Sequence, residues 1–435
     1  MMLLGRFLLS WLQIGMVTSS GSDAEQCGVG STATCPDQTA LFQRGIHINT
    51  DISRHSDNGD TDSVNMAFLR KYKCDAEPTI TAAFQRLDAN NQGAIRSSDL
   101  LMANESRTDS SWLALFTIKG GRAETTYTSN KKWVSERATQ YQRALNQILE
   151  EAQVPDMKLL ISLSDNGDFG PGNQYVLSND GRPGSDLLFL PRSVLLRGAW
   201  ANFQTVPHGA TRCLHGRHTG VAVFRGSSTG TAWAYDASHP LPLRDANGVV
   251  GLRYKVANLS KYRPDLVDAG FTRVVDEDHF APTHGHEKEF EIALQKEGMI
   301  KEPLTDEQQQ CYSAVLVVDG HAQADRLARQ MMYGIPVIVI HEHKKRFILQ
   351  QGNATIQLER WQDEFWYGEP RNGQDWLMVD IDELEETLEN LLSDPARMAM
   401  IGRNGRSFVQ ERLSERRLKC YMYTLLTEYG KRYRE

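Results

Sequence analysis

The 435-residue sequence contains no Gly-Lys-Ser or Gly-Lys-Thr triplet, which excludes the common nucleotide-triphosphate loop. It also lacks an excess of positive charge. Its 48 Lys and Arg stand against 55 Asp and Glu, a net charge of −7. That is the wrong sign for gripping phosphate backbones, so no nucleic-acid partner is expected. Beyond the N-terminus no apolar run is long enough to cross a bilayer. Cysteine is scarce, but its six residues form an even number, as in proteins of oxidising compartments.

What is present is an ordinary globular composition, 40% hydrophobic and 24% charged, with length enough for two domains. Residues 1–6 are short and basic, 7–17 mostly apolar, and 18–22 small and polar. That order predicts a secretory signal peptide over 1–22, cut near Gly21 or Ser22. An uncleaved signal anchor is the alternative. Three acceptor triplets, beginning at Asn104, Asn258 and Asn353, agree with a secretory route. The expected location is the lumen of the endoplasmic reticulum or Golgi, or the cell exterior.

Residues 23–70 are polar and without apolar period, the pattern of a linker. Strand-like runs follow at 113–118, 159–163, 221–224, 314–318 and 335–340. Helical patterns lie at 134–153, 322–333, 382–393, 395–412 and 415–433. Strands alternating with helices predict an α/β fold of two doubly wound, Rossmann-like units with a cleft between them and a helical C-terminus. The boundary falls near 215–220, dividing 71–218 from 219–412 and leaving 413–435 as the final helix.

Three segments carry groups suited to an anionic ligand and a proton transfer. In VAVFRGSSTG, from Val221, a strand ends in Arg225, two glycines and the hydroxyls of Ser227, Ser228 and Thr229. In VVDGHAQADR a strand ends at Asp319 and a helix begins over Gly320, His321, Ala322, Gln323, Ala324 and Asp325, with Arg326 one turn in. Helix N-termini hold anions, and a guanidinium adds to a diphosphate. In LLISLSDNGD a strand delivers Asp165, placed to act as a general base. Each segment alone also reads as a polar turn.

Taken together, these segments resemble glycosyltransferase family 90, the protein O-glucosyltransferase and capsule-associated group. The likeness lies in VAVFRGSSTG, RYKVANL from Arg253, DLVDAGFT from Asp265, CYSAVLVVDGHAQADRLARQMMYGIPVIVI from Cys311, PDMKLLISLSD and the C-terminal IGRNGRSFVQERL and CYMYTLLTEYGKRY. It spans about residues 70–433. It implies a GT-B fold and an inverting transfer, without metal or cofactor, of glucose or xylose from UDP-glucose or UDP-xylose to a protein or glycan hydroxyl. By position it implies Asp165 as base, and Ser227, Arg253 and the turn from Gly320 to Arg326 as holders of the UDP diphosphate. A disulfide tying the last helix back to the N-terminal region is also implied, here Cys74 with Cys420.

Cys27 and Cys35 are close enough in sequence to pair. Cys213 and Cys311 are left over, and the resemblance puts the usual partner of Cys311 near Met331 and Met332, where none exists. The chain departs from the family elsewhere. Ala324 and Asp325 precede Arg326 where a serine is usual, and residues 235–251 are extra. LLFLPRSVLLRGAW replaces a tryptophan-rich acceptor segment, and RWQDEFWYGEPRNGQDW replaces a His-Tyr segment. A non-catalytic nucleotide-sugar-binding or lectin-like relative is therefore the second reading.

Two further patterns are weaker. Asp88, Asn90, Gln92, Gly93, Ile95 and Asp99 fit the spacing of a calcium loop, but lack its final glutamate. His279, His284 and His286 match no strong zinc spacing. No metal site is expected.

Overall fold

The computed structural model describes residues 59–74, 80, 83–85, 94–96, 100, 113–127, 132–163, 176–178, 188–196, 206, 213, 217–228, 251–275, 287–318, 326–341, 346–351, 354–359, 366 and 370–434. All of them lie in one compact unit, Asn58–Glu435. The expected signal peptide, Cys27 and Cys35 lie outside the described residues, as do Asn104 and Asn353, most of the calcium-like loop and the three histidines.

In chain order the first elements are α1 (Gly59–Tyr72), β1 (Ile95–Arg96), β2 (Leu113–Lys119), β3 (Arg122–Tyr127), α2 (Lys132–Leu149), β4 (Met157–Ser162), β5 (Val176–Ser178) and β6 (Leu188–Phe189). There follow β7 (His218–Ser227), α3 (Leu252–Tyr262), β8 (Val267–Arg273), α4 (Glu287–Lys296), α5 (Asp306–Gln309), β9 (Tyr312–Val318), α6 (Leu327–Met331) and β10 (Val337–His341). The chain ends with β11 (Arg346–Gln351), β12 (Ala354–Glu359), β13 (Leu377–Asp380), α7 (Leu384–Leu392), α8 (Pro395–Arg412), α9 (Glu415–Arg432) and β14 (Tyr433–Arg434).

The runs at 221–224, 314–318 and 335–340 become central strands because both their faces are buried. Val223, Val315, Val317, Val337 and Val339 enter one core, shared with α8 and α9. Ala222, Phe224, Ala314, Leu316, Val318, Ile338 and Ile340 enter another, closed by Leu252 and Val256 of α3 and Leu384, Leu388 and Leu391 of α7. A strand covered on both sides needs an unbroken apolar run. These strands form a five-stranded sheet in the order β13-β10-β9-β7-β8, parallel at every pairing. After β8 the chain returns to the far side of β7 to lay down β9, so the direction of winding reverses between β7 and β9.

The first sheet departs from expectation. Its order is β3-β2-β4-β5-β6, with β2 antiparallel to both β3 and β4, and only β4, β5 and β6 mutually parallel. It is therefore mixed rather than doubly wound and parallel. The cause is local: Gly120 and Gly121 have φ of 57° and 75°, the left-handed pair of a two-residue hairpin, which folds β3 back on β2. On its face lies α2, whose Val134, Ala138, Tyr141, Leu145 and Ile148 recur at helical spacing and are buried.

A second unexpected hairpin joins β11 to β12. The helix expected over 322–333 is observed as α6, Leu327–Met331, with 320–325 outside the described residues. Its neighbours match the reading better. Asp394 caps α8 by accepting from the Arg397 amide, with Pro395 at the first helical position. Ser414 caps α9 in the same way through Arg417.

Helix α9 packs on α1 and α2, and β14 pairs with β1 through Ile95 and Tyr433. Cys74 and Cys420 are bridged, with Cα atoms 5.3 Å apart. Cys213 and Cys311 are bridged as well. Cys311 is thus not unpaired: the segment before β7 brings Cys213 to the start of β9, beside the Cys311 carbonyl that accepts the His218 amide at 2.9 Å. Among the described residues no helix is long and apolar enough to cross a membrane.

Candidate active site at the carboxyl ends of β7 and β9

Ser227 is the last residue of β7, beyond a register shift against β8 at Gly226 and Ser227. Gly226 is required for packing: a Cβ there would lie 2.6 Å from the ring of Phe224. The two serines then diverge. Ser228 is fully buried, its amide bonding the Arg273 carbonyl at 3.1 Å and its hydroxyl accepting from the Val275 amide at 3.0 Å. That serine sews the end of β7 to the end of β8. The Ser227 hydroxyl instead meets the Arg253 Nη1 at 3.2 Å.

Arg253 sits in the first turn of α3 and is 6% exposed. Its Nη1 donates to the Ser227 carbonyl at 2.9 Å, and its Nε to the Val318 carbonyl at 3.2 Å. One guanidinium therefore bridges the carboxyl ends of β7 and β9. Arg326, which immediately precedes α6, donates from Nη1 to the Arg225 carbonyl. Three residues singled out in the sequence, 26 and 73 positions apart, thus converge at the point where the winding of the parallel sheet reverses. In open α/β sheets that crevice is where ligands bind.

The other expected site residues lie outside the described residues: Asp165, Gly320, His321, Ala322, Gln323, Ala324 and Asp325. Their strands are described. β4 ends at Ser162, three residues before Asp165, and β9 at Val318, two residues before Gly320.

Arg225 faces away from this cluster. Only 7% exposed, it forms an ion pair with Asp268 at 2.8 Å and donates to the Glu302, Phe224 and Asp268 carbonyls. Asp268, within DLVDAGFT, is marked in the sequence only as a charge inside the apolar run of β8. The departing segments contribute buried residues among those described. Leu188, Leu190, Leu195 and Leu196 of LLFLPRSVLLRGAW are buried. Trp366 and Trp376 of the aromatic segment pack 6.0 Å apart, with Phe408 5.9 Å from Trp366. Asn258 lies within α3, and the Ser260 hydroxyl of its triplet accepts the Ala269 amide at 3.0 Å. Among the described residues no group of three or more His, Cys, Asp and Glu is placed to hold a metal.

None of the curated proteins compared with the chain matches it. Among solved structures, HepE from Anabaena in complex with UDP and glucose is similar at 13% identity and TM-score 0.31, over 48% of each chain, so the match spans under half of that protein. The C-terminal domain of LpcC, a glycosyl transferase group 1 family protein from Francisella tularensis, is similar at 14% identity and TM-score 0.28, over 48% of this chain and 97% of its own. A TarM variant from S. aureus is similar at 10% identity and TM-score 0.29, over 49% and 36%. Residues 339–435, from within β10 to the C-terminus, match the model of Glycosyl transferase family 90, the family that the sequence resembles.

Proposed function

We propose that the chain is a glycosyltransferase, moving glucose or xylose from a UDP-sugar to a hydroxyl of a protein or glycan acceptor. The observation that carries this reading is the meeting of Ser227, Arg253 and Arg326 at the carboxyl ends of β7 and β9. Its support is the family match over 339–435. Two guanidiniums beside a strand-end hydroxyl suit a diphosphate, and they offer fixed positive charge to a leaving group without an intervening metal. The UDP-sugar is a co-substrate, and the reading calls for no resident cofactor.

In the proposed reaction the Asp165 carboxylate takes the proton of the acceptor hydroxyl. The freed oxygen attacks the anomeric carbon, and the bond from that carbon to the β-phosphate oxygen breaks. UDP leaves with the electron pair, and the configuration inverts. A GT-B arrangement, with the acceptor on the first domain and the nucleotide on the parallel sheet, fits this division of labour. Two long-range disulfides suit an oxidising, lumenal or external compartment.

The test is UDP release and sugar transfer with UDP-glucose and UDP-xylose, comparing the wild type with Asp165→Asn. Transfer in the wild type, reduced at least about a hundredfold in the variant, supports the reading. Equal rates would remove Asp165 from the role of base. UDP binding without transfer to any acceptor would identify a nucleotide-sugar-binding relative instead.

A further inference from the structure

Across β7, β8 and β9 lies a polar hub that the reaction does not use. The Asp268 carboxylate, on β8, accepts from Arg225 Nη2 at 2.8 Å and from the Tyr312 hydroxyl, on β9, at 2.6 Å. Lys301 stands 3.5 Å away on the other oxygen. Arg225 spends its remaining donors on backbone: the Glu302 carbonyl at 3.1 Å, Phe224 at 3.0 Å and Asp268 at 2.9 Å. The hub therefore bolts β7 to both neighbouring strands and to the segment after Ile300, which bridges to Phe271.

The hub also fixes what the site's cations hold on to. The Arg225 carbonyl is the acceptor for Arg326, and Ser227, two residues on, is the acceptor for Arg253. Both guanidiniums thus rest on the last three residues of β7, and Arg253 rests also on the Val318 carbonyl of β9. Ser228 ties this strand end to β8 from beyond the register shift at Gly226 and Ser227, and the hub adds a side-chain anchor before it, at Arg225.

We propose that Asp268, with Tyr312 and Arg225, is a positioning residue for the diphosphate site: it holds the end of β7 where Arg253 and Arg326 converge. This rests on the nucleotide-sugar reading given above. Asp268 touches no substrate; it acts through β7. A displacement of about 1 Å at such a site is enough to lower affinity or rate by orders of magnitude.

The probe is UDP itself, titrated calorimetrically into the full-length wild type and the variants Asp268→Asn, Tyr312→Phe and Glu151→Gln. The last variant breaks a hub of the same chemistry whose partners stand on α1 and α9. Asp268→Asn is expected to weaken UDP binding about tenfold or more and to raise the UDP-sugar KM in step, with kcat changed less than about threefold. Tyr312→Phe gives a smaller loss in the same direction, and Glu151→Gln lowers the melting temperature but leaves the UDP Kd unchanged. If Asp268→Asn does not fold, Tyr312→Phe carries the comparison. Wild-type binding that Asp268→Asn and Tyr312→Phe leave unaltered would overturn the inference alone, as would an equal loss in Glu151→Gln. No UDP binding by the wild type would overturn the nucleotide-sugar reading and the inference with it.

Discussion

Asp268 and Glu151 are built alike and serve different ends. Each accepts a tyrosine hydroxyl, Tyr312 at 2.6 Å and Tyr72 at 2.7 Å, and each pairs with a buried cation, Arg225 or Lys419, at 2.8 Å. Each also has a more exposed lysine beside it, Lys301 or Lys71. Burial alone would raise both carboxyl pKa values. In both the hydrogen bonds outweigh it, lowering Asp268 and holding Glu151 at about 2. The difference lies in what is tied. Around Asp268 the partners come from β7, β8 and β9 of one sheet, the sheet whose carboxyl ends carry the candidate site. Around Glu151 they come from α1 and α9, far apart in sequence, next to the Cys74–Cys420 bridge. Similar side-chain chemistry thus positions a site in one place and joins distant parts of the chain in the other.

The largest effect should come from Arg225→Met. It leaves Asp268 with its tyrosine and a weak lysine, and it takes a donor from three backbone carbonyls. A loss of about 4 kcal/mol is expected in denaturant unfolding. Lys419→Met should lower stability less, by about 2 kcal/mol, because Lys71 remains to face Glu151. A loss from Lys419→Met equal to that from Arg225→Met would show that the two hubs are equally sealed.

The pH dependence separates the hubs further. The folded-state pKa of Glu151 lies below its ordinary value of 4.5. Its stabilisation is therefore complete above about pH 4.5 and is lost as pH falls toward about 2. The stability gap between wild type and Glu151→Gln should be about 1–2 kcal/mol at pH 6 and should close by pH 2, read from urea midpoints across that range. A gap that persists at pH 2 would mean that the carboxylate's charge is not what matters. The smallest effect belongs to Gly121→Ala, about 1 kcal/mol, since it strains the positive φ of the β2–β3 turn and touches neither hub.

The two sheets also differ in how far the sequence disclosed them. The parallel sheet was legible because strands buried on both faces leave unbroken β-branched runs such as YSAVLVV and VIVIH. The capped helices α8 and α9 were legible through Asp394-Pro395 and Ser414. Of the mixed sheet only β2 and β4 were, as the runs at 113–118 and 159–163, since β3 reads RAETTY, and β5 and β6 have only three and two residues. The Gly120-Gly121 pair is the sequence mark of that hairpin. Ser227 stood out because glycines and hydroxyls follow an apolar strand, whereas Arg253, in the first turn of α3, was marked only by the resemblance to the family. The Arg225, Asp268 and Tyr312 hub was not legible, because its members lie 43 or more positions apart and only the β7-β8-β9 pairing joins them. The Cys213–Cys311 bridge was hidden for the same reason: spacing along the chain does not name partners across a sheet.

The central claim is that the β7 and β9 ends form a UDP site held together by Arg253. Calorimetric titration of UDP into the wild type and Arg253→Ala tests it most directly. The wild type is expected to bind with a micromolar Kd and Arg253→Ala at least about a hundredfold more weakly, with its fold intact by circular dichroism. Equal affinity in the two proteins, or no binding by the wild type, would contradict the account.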